Sequence, residues 1–197
     1  MSISTFRNLF AWLCLALFVP LNAFADVEIN EQNFPNKYFR NYLLTQDYAE
    51  DGVITDEEIA GITSINVGSK YISSLEGIQY FTALTMLQCY NNQLTTLDVS
   101  GCTALTGLSC YGNQLTALDV SNNAALKTLW CYNNQISGEK MDKFIKSLPN
   151  SNGVIRMYDN TSETEDNVCT ESQVAAIKAK EWMPYYIWCR MVKIRRK

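Results

Sequence analysis

LTMLQCYNNQL begins at Leu84 of this 197-residue chain, and close copies begin at Leu105 (LTGLSCYGNQL) and Leu126 (LKTLWCYNNQI). Successive copies are twenty-one residues apart. A fixed period between about 20 and 50 residues indicates a repeat architecture, in which each unit buries its apolar side chains against its neighbours. The fold can therefore be predicted from the residues between Leu84 and Ile136.

The spacing within each copy matches L-x-x-L-x-L-x-x-N-x-L, the pattern of a leucine-rich repeat. It predicts an α/β solenoid: a short right-handed coil with a parallel β-sheet on its concave face and an irregular convex side. A degenerate first coil starts at Ile62 and has Lys70 at the asparagine position, as is typical of a terminal repeat. Two columns are predicted to be structural. The first contains buried cysteines, and disulfides between them are disfavoured because neighbouring strands lie about 4.8 Å apart, whereas the Cβ atoms of a disulfide lie about 3.8 Å apart. The second contains asparagines that hydrogen-bond the backbone. The two columns are Cys89, Cys110 and Cys131, and Asn92, Asn113 and Asn134.

The sequence outside the repeats divides into a leader and two caps. Arg7, an apolar run and Ala23-Phe24-Ala25 describe a secretory signal peptide with cleavage near Ala25. The run is shorter than the ~20 residues of a membrane span, so we expect a secreted, periplasmic or cell-surface protein without a transmembrane span in its mature part. The predicted divisions are 1–25, the signal peptide; 26–61, a helical N-terminal cap; 62–137, the leucine-rich repeats; and 138–197, an α/β C-terminal cap.

Charge and composition exclude several functions. The chain has 16 basic and 20 acidic residues and a net charge of −4, which argues against the clustered basic face of a nucleic-acid binder. It contains no histidine, which removes histidine-dependent triads and histidine-ligated zinc sites. Asp98 and Asp119 recur with the repeat, as turn residues do. We therefore expect a protein that is not an enzyme and has no catalytic residues.

The N-terminal cap contains a sequence similar to a calcium-binding loop. DYAEDGVITDEE, from Asp47 to Glu58, matches an EF-hand loop at several positions, although Ala49 stands where an oxygen ligand is expected. One interpretation is a weak calcium site. The other is a cap without metal, because Thr55-x-x-Glu58 also forms a capping box for the next helix. The candidate ligands are Asp47, Asp51, the Val53 carbonyl, Thr55 and Glu58.

The C-terminal cap is predicted to contain two helices and two strands. The first helix begins after Ser137 and ends at Pro149, and the second begins at Thr170 with a capping box. GVIRMY and the residues after Pro184 have the composition of strands. A disulfide between Cys169 and Cys189 and a pair of separate thiols remain as alternatives.

Alternate strand residues should lie on the concave face, and aromatic residues are concentrated there. Aromatic side chains and methionine are favoured at the centre of protein interfaces. A tyrosine column that merely supports the sheet is the alternative, because tyrosine recurs with the repeat. Trp130 does not recur, and it is the sharper candidate. The predicted partner-binding residues are Met86, Gln88, Tyr90, Tyr111, Trp130 and Tyr132.

The cap sequence NFPNKYFRNYLL…DGVITDEEI, the repeats NNQLTTLDVS and GNQLTALDVS, and the closing NNQISGEKMDKFIKSLP…TESQVAAIKAKEW together resemble bacterial secreted leucine-rich-repeat proteins of the internalin type. The resemblance implies an EF-hand-like helical cap, a parallel-sheet solenoid and recognition without catalysis. The expected function is a non-enzymatic module that binds a protein partner through its concave face. The alternative is a carbohydrate-binding or calcium-stabilised cell-surface adhesion protein, and no cofactor other than weakly bound calcium is expected.

Overall fold

The computed structural model describes residues 26–158 and 167–184. The predicted signal peptide, the strand expected after Pro184 and Cys189 lie outside these residues. Within the described residues, no helix is long and apolar enough to cross a membrane.

A six-stranded parallel sheet forms the concave side of the solenoid, with its strands in chain order. The first five strands have three residues each, and their central apolar residues are in register: Ile65, Leu87, Leu108, Leu129 and Ile155. The sixth strand has two residues. The strands are β3 (Ser64–Asn66), β4 (Met86–Gln88), β5 (Gly107–Ser109), β6 (Thr128–Trp130), β7 (Val154–Arg156) and β8 (Met183–Pro184). The predicted α/β solenoid is confirmed.

The interior of the solenoid is one continuous apolar core that runs through every coil. Leucines and isoleucines of the repeat are buried, and so are the three column cysteines. Burial raises the pKa of the Cys89 thiol well above its ordinary value and that of Cys110 to about 12. Cys102 is buried on the return side, where its Sγ donates to the Ile78 carbonyl at 3.3 Å. Burial also raises the pKa of Cys102, so the thiols of Cys89, Cys102 and Cys110 are protonated and act as small apolar side chains.

The asparagine column joins each coil to the one before it. The Asn113 Nδ2 donates to the carbonyls of Cys89, in the preceding coil, and Cys110, in its own coil, at 3.0 and 2.9 Å. Its Oδ1 accepts from the Leu94 N–H of the preceding coil at 3.0 Å. Asn134 repeats all three bonds one coil later. The predicted structural role of this column is confirmed.

The N-terminal cap consists of two short helices and a pair of two-residue strands, and it precedes the first coil. Strands β1 (Val27–Glu28) and β2 (Val53–Ile54) pair antiparallel. Helix α1 (Lys37–Leu43) begins after Asn36, whose side chain accepts from two backbone N–H groups of the first turn. Helix α2 (Asp56–Gly61) begins with the predicted capping box between Thr55 and Glu58, which is confirmed.

The C-terminal cap closes the other end with two helices. Helix α3 (Gly138–Ser147) follows Ser137, and its apolar side chains are buried as expected, although no side-chain capping bond from Ser137 is present. Helix α4 (Glu171–Ala179) begins with the predicted capping box of Thr170 and Gln173. After α4, the Trp182 side chain is 2% exposed, and its Nε1 donates to the Pro149 carbonyl at 2.7 Å.

Candidate interaction surface on the concave face

The outward residues of the sheet form three rows that run across the coils. Two rows lie within the strands and the third just beyond them, because the parallel register places equivalent residues side by side. The first row consists of Ser64, Met86, Gly107, Thr128 and Val154. The middle row consists of Asn66, Gln88, Ser109, Trp130 and Arg156. The tyrosine row consists of Gly68, Tyr90, Tyr111 and Tyr132.

The tyrosine row is a continuous stack of rings. The centroids of Tyr90 and Tyr111 are 5.0 Å apart and their planes differ by 5°. Tyr111 and Tyr132 are 4.4 Å apart with an interplanar angle of 6°. The spacing of neighbouring strands, about 4.8 Å, imposes this parallel stacking on any aromatic residue that recurs with the coil.

Both ends of the stack are closed. At one end, a Cβ added to Gly68 would meet the Tyr90 ring at 2.6 and 2.7 Å from its two Cε atoms, so the ring lies flat against the glycine backbone. At the other end, the Arg156 guanidinium carbon lies 4.1 Å from the Tyr132 ring centroid, a cation–π arrangement. The faces of these rings are therefore covered by protein.

Coverage of the ring faces limits what the tyrosines offer a partner. Tyr132 is 8% exposed, while Tyr90 and Tyr111 are half-buried. Ring edges and hydroxyl groups are the parts that remain for contact. This geometry favours the supporting role for the column, with pairs of this kind contributing about 0.2–1 kcal/mol each.

Trp130 differs from the tyrosines because much of its side chain is exposed. It is 41% exposed and lies between Ser109 and Arg156 in the register of the sheet. Its ring is tilted by 47° from that of Tyr111 at a centroid distance of 6.5 Å, so it does not join the stack. Trp130 is the large exposed apolar side chain of the middle row.

Met86 is a second apolar side chain of this face. Its side chain lies across Gly107 of the next strand, where an added Cβ would be 2.6 Å from the Met86 sulfur. Gly107 thus makes room for a flexible thioether that is half-buried. Methionine in such a position adapts its shape to a partner surface. Among the residues of the three rows, Arg156 alone carries a charge, so the face is nearly neutral.

Two residues in this region, Arg156 and Asn167, were not predicted as repeat positions. The stretch VIRMYDN, from Val154 to Asn160, matches the repeat and would have placed an asparagine at position 160. Asn160 lies outside the described residues. Within them, Asn167 makes the bonds of a repeat asparagine: its Nδ2 donates to the Cys131 and Met157 carbonyls at 2.8 Å, and its Oδ1 accepts from the Ile136 N–H at 2.8 Å. Gly68 was predicted as an outward position of the first coil. Its contact with the Tyr90 ring and the contact of Arg156 with Tyr132 were not predicted, because both depend on a neighbouring coil.

The EF-hand-like loop was also a predicted site. Gly52 has a φ of +79°, as the tight turn of such a loop requires. The Asp51 Oδ1 accepts from the Val53 N–H at 3.1 Å, and the Glu58 Oε2 accepts from both the N–H and the hydroxyl of Thr55 at 2.8 Å. No group of three or more acidic, cysteine or histidine side chains suited to a metal ion occurs in the described ranges. Calcium binding by Asp47, Asp51, Val53, Thr55 and Glu58 stays a prediction.

The recurring aspartates lie at turns on the convex side. The Asp98 Oδ1 accepts from the Ser100 N–H at 2.9 Å, and Asp119 bonds Ser121 in the same way. Hydrogen bonds from Ser100 and from Ser121 lower the pKa of Asp98 and of Asp119. Both aspartates are thus ionised acceptors that hold a turn, as expected from their recurrence.

Comparison with known proteins finds structural similarity to internalins. No protein-family model and no curated protein matches the chain. The functional domain of InlJ from Listeria monocytogenes, described as including a cysteine ladder, is 28% identical with a TM-score of 0.56, over 78% of this chain and 32% of that one. The internalin InlF from Listeria monocytogenes strain 4b F2365 is 21% identical with a TM-score of 0.54, over 83% and 58% respectively, and supports the fold alone.

The repeat, the parallel sheet and the two caps define a leucine-rich-repeat solenoid. With the structural similarity to InlJ, the protein is an internalin-like leucine-rich-repeat protein. The chain spans about a third of the length of the InlJ structure and just over half of the InlF structure.

Proposed function

We propose that the protein is a secreted or cell-surface module that binds a protein partner through the concave face. The similarity to internalins supports a protein-interaction role in general. The observation that carries the proposal is the exposure of Trp130, which is 41%. The other residues of its row are small or polar, and Arg156 among them lies over the Tyr132 ring. Exposed tryptophan is among the residues that dominate the binding energy of protein interfaces.

The expected contact combines Trp130 with Met86. The two side chains lie on strands β6 and β4, on either side of β5, and the intervening residues are Gly107 and Ser109. Two apolar side chains separated by a strand with small residues form a shallow surface suited to an apolar ridge on a partner. The near absence of charge means that burial here desolvates few ionic groups, which lowers the cost of binding.

The experiment compares captured proteins by quantitative mass spectrometry for the wild type, Trp130→Ala and Leu44→Ala. Leu44 is 46% exposed on the N-terminal cap and serves as the matched control. A true partner is retained by the wild type and by Leu44→Ala but is lost with Trp130→Ala. Its measured affinity should fall about 30-fold in that variant, which corresponds to about 2 kcal/mol. A set of captured proteins that is the same for all three forms contradicts the proposal.

Carbohydrate recognition is a second candidate, supported by one observation. Asn66, Gln88 and Ser109 supply uncharged amide and hydroxyl groups in the same row as Trp130. An aromatic plane beside uncharged hydrogen-bonding groups suits a sugar ring. Glycan-array binding that disappears with Trp130→Ala, without a protein partner that depends on Trp130, would replace the protein proposal by this one.

A further inference from the structure

A second group of aromatic and cationic residues lies where the N-terminal cap meets the first coil. The Lys37 Nζ lies 4.9 Å from the Tyr38 ring centroid, and the Lys70 Nζ lies 5.6 Å from that of Tyr42. Helix α1 and the first coil are joined here by a hydrogen bond of 3.0 Å from the Asn36 Nδ2 to the Ser73 hydroxyl. We name Lys37, Tyr38, Tyr42, Lys70 and Tyr71 the cap patch.

Tyr71 is the most exposed large apolar side chain of the described residues, at 71%. Its φ is +60°, a left-handed conformation that bulky residues rarely adopt. Other coils have left-handed residues at the position of Ser69, but the glutamines that correspond to Tyr71, at 93, 114 and 135, do not share its conformation. The strain at Tyr71 is therefore particular to the first coil.

The backbone reason for this strain is a double hydrogen bond. The Asn92 Oδ1 accepts from both the Lys70 and the Ile72 N–H groups, at 3.0 and 2.9 Å. In the next two coils the equivalent oxygen accepts from a single N–H. For both N–H groups to reach the same oxygen, the residue between them must adopt a left-handed conformation. Asparagine or glycine adopts this conformation at little cost. A tyrosine with its ring in solvent gains nothing from the fold at this position.

The two lysines of the cap patch lack an acidic partner. Among the described residues, no carboxylate lies within ion-pair distance of Lys37 or Lys70, whereas Arg40 on the same helix pairs with Glu31 at 2.9 Å. Each ammonium group is held over a tyrosine ring, which restricts its motion while leaving its N–H donors available. In a chain with four more acidic than basic residues, this is an unpaired positive surface.

We propose that the cap patch is a second binding surface and that its ligand is an acidic peptide segment of a partner protein. Lys37 and Lys70 bind carboxylates, and the exposed rings of Tyr38 and Tyr71 contact apolar side chains between them. Charge complementarity selects the ligand, since both lysines present unpaired charge beside aromatic surface. The proposal does not depend on the concave face.

The test measures fluorescence polarisation with a labelled peptide made of Glu-Glu-Leu repeats and a matched peptide with glutamine at each glutamate. Four forms of the purified protein are compared: wild type, Lys37→Gln with Lys70→Gln, Tyr71→Asn, and the control Lys140→Gln with Lys143→Gln on the exposed side of α3. We expect the wild type and the control to bind the acidic peptide about tenfold more tightly than the glutamine peptide, with the difference decreasing in high salt.

The variants of the cap patch should separate binding from folding. The double lysine variant should lose about tenfold in affinity for the acidic peptide. Tyr71→Asn should also bind more weakly, but its melting temperature should stay the same or rise, because asparagine tolerates the left-handed conformation. Equal binding of the two peptides by the wild type, or equal losses in the control, overturns the proposal. Binding of labelled heparin at the cap patch in place of the peptide also overturns it and assigns the site to an anionic glycan.

Discussion

In the coils that begin at Leu84, Leu105 and Leu126 an asparagine follows each strand, whereas the first coil has Lys70 at that position. The first coil is nevertheless held, because Asn92 of the second coil accepts from its N–H groups and donates to its Val67 carbonyl at 2.7 Å. Each asparagine thus secures the coil that precedes it. The first coil has no predecessor and needs no asparagine, while the segment after the last regular coil must supply one, and Asn167 does so.

The largest effect should come from removing one of the inner asparagines. Asn113→Ala deletes three buried hydrogen bonds and leaves the backbone groups of two coils without partners. We expect a loss of about 3–4 kcal/mol in the free energy of unfolding, measured by urea denaturation. Lys70→Ala, at the equivalent place of the first coil, should change it by less than about 0.5 kcal/mol. Equal losses in the two variants would contradict the difference between inner and first coils.

The closed end of the tyrosine stack provides a second comparison. Gly68→Ala pushes a methyl group into the Tyr90 ring and should destabilise the protein by about 2 kcal/mol. Gly61→Ala, at the end of α2, meets no atom within 4 Å and should be neutral or stabilising by about 0.5 kcal/mol. In a Tyr90→Ala background, the cost of Gly68→Ala should nearly vanish. A cost that persists there would place the strain somewhere other than the ring.

A third prediction separates the two interpretations of the EF-hand-like loop. Glu58→Ala should cost about 1 kcal/mol through loss of the capping box, and Glu58→Gln should keep that bond. Melting curves of the wild type and Glu58→Gln are then recorded with calcium and with a chelator. If calcium binds, it raises the melting temperature of the wild type but not of Glu58→Gln. If the wild-type melting curves with calcium and with chelator coincide, the calcium-site interpretation is contradicted and the role of Glu58 is the capping box.

The smallest effect concerns pH. Hydrogen bonds from Ser100 and Ser121 lower the folded-state pKa of Asp98 and of Asp119 below the unfolded value near 3.9. Their contribution to stability is therefore present above about pH 4 and is lost as the pH falls through the folded-state pKa. The double variant Asp98→Asn with Asp119→Asn retains acceptors for the turns. Its melting temperature should decline less than that of the wild type between about pH 4 and pH 2, and parallel declines would contradict this.

The regular coils were predictable because each residue there has a role that recurs. Leucine, cysteine and asparagine columns were assigned from spacing alone, and the structure confirms them. The candidate surface was less predictable, because exposure depends on what lies alongside. Tyr132 recurs as faithfully as Tyr111, yet the Arg156 guanidinium covers it. The strained Tyr71 was also missed, since the need for a left-handed residue arises from Asn92 in a different coil.

Each asparagine side chain bonds the backbone of the preceding coil and not that of the following one, so the solenoid has a direction along its axis. In an additional twenty-one-residue unit inserted ahead of Leu105, the asparagine would bond the backbone of the coil before it. The asparagine of the coil after it would bond the inserted unit in the same way, so no new type of contact would be needed. Duplication of an inner coil is therefore compatible with this architecture, whereas the first and last coils cannot be duplicated in this way because each packs against a cap. Variation in the number of coils would lengthen the concave face while leaving the cap patch, which depends on the first coil and helix α1, unchanged.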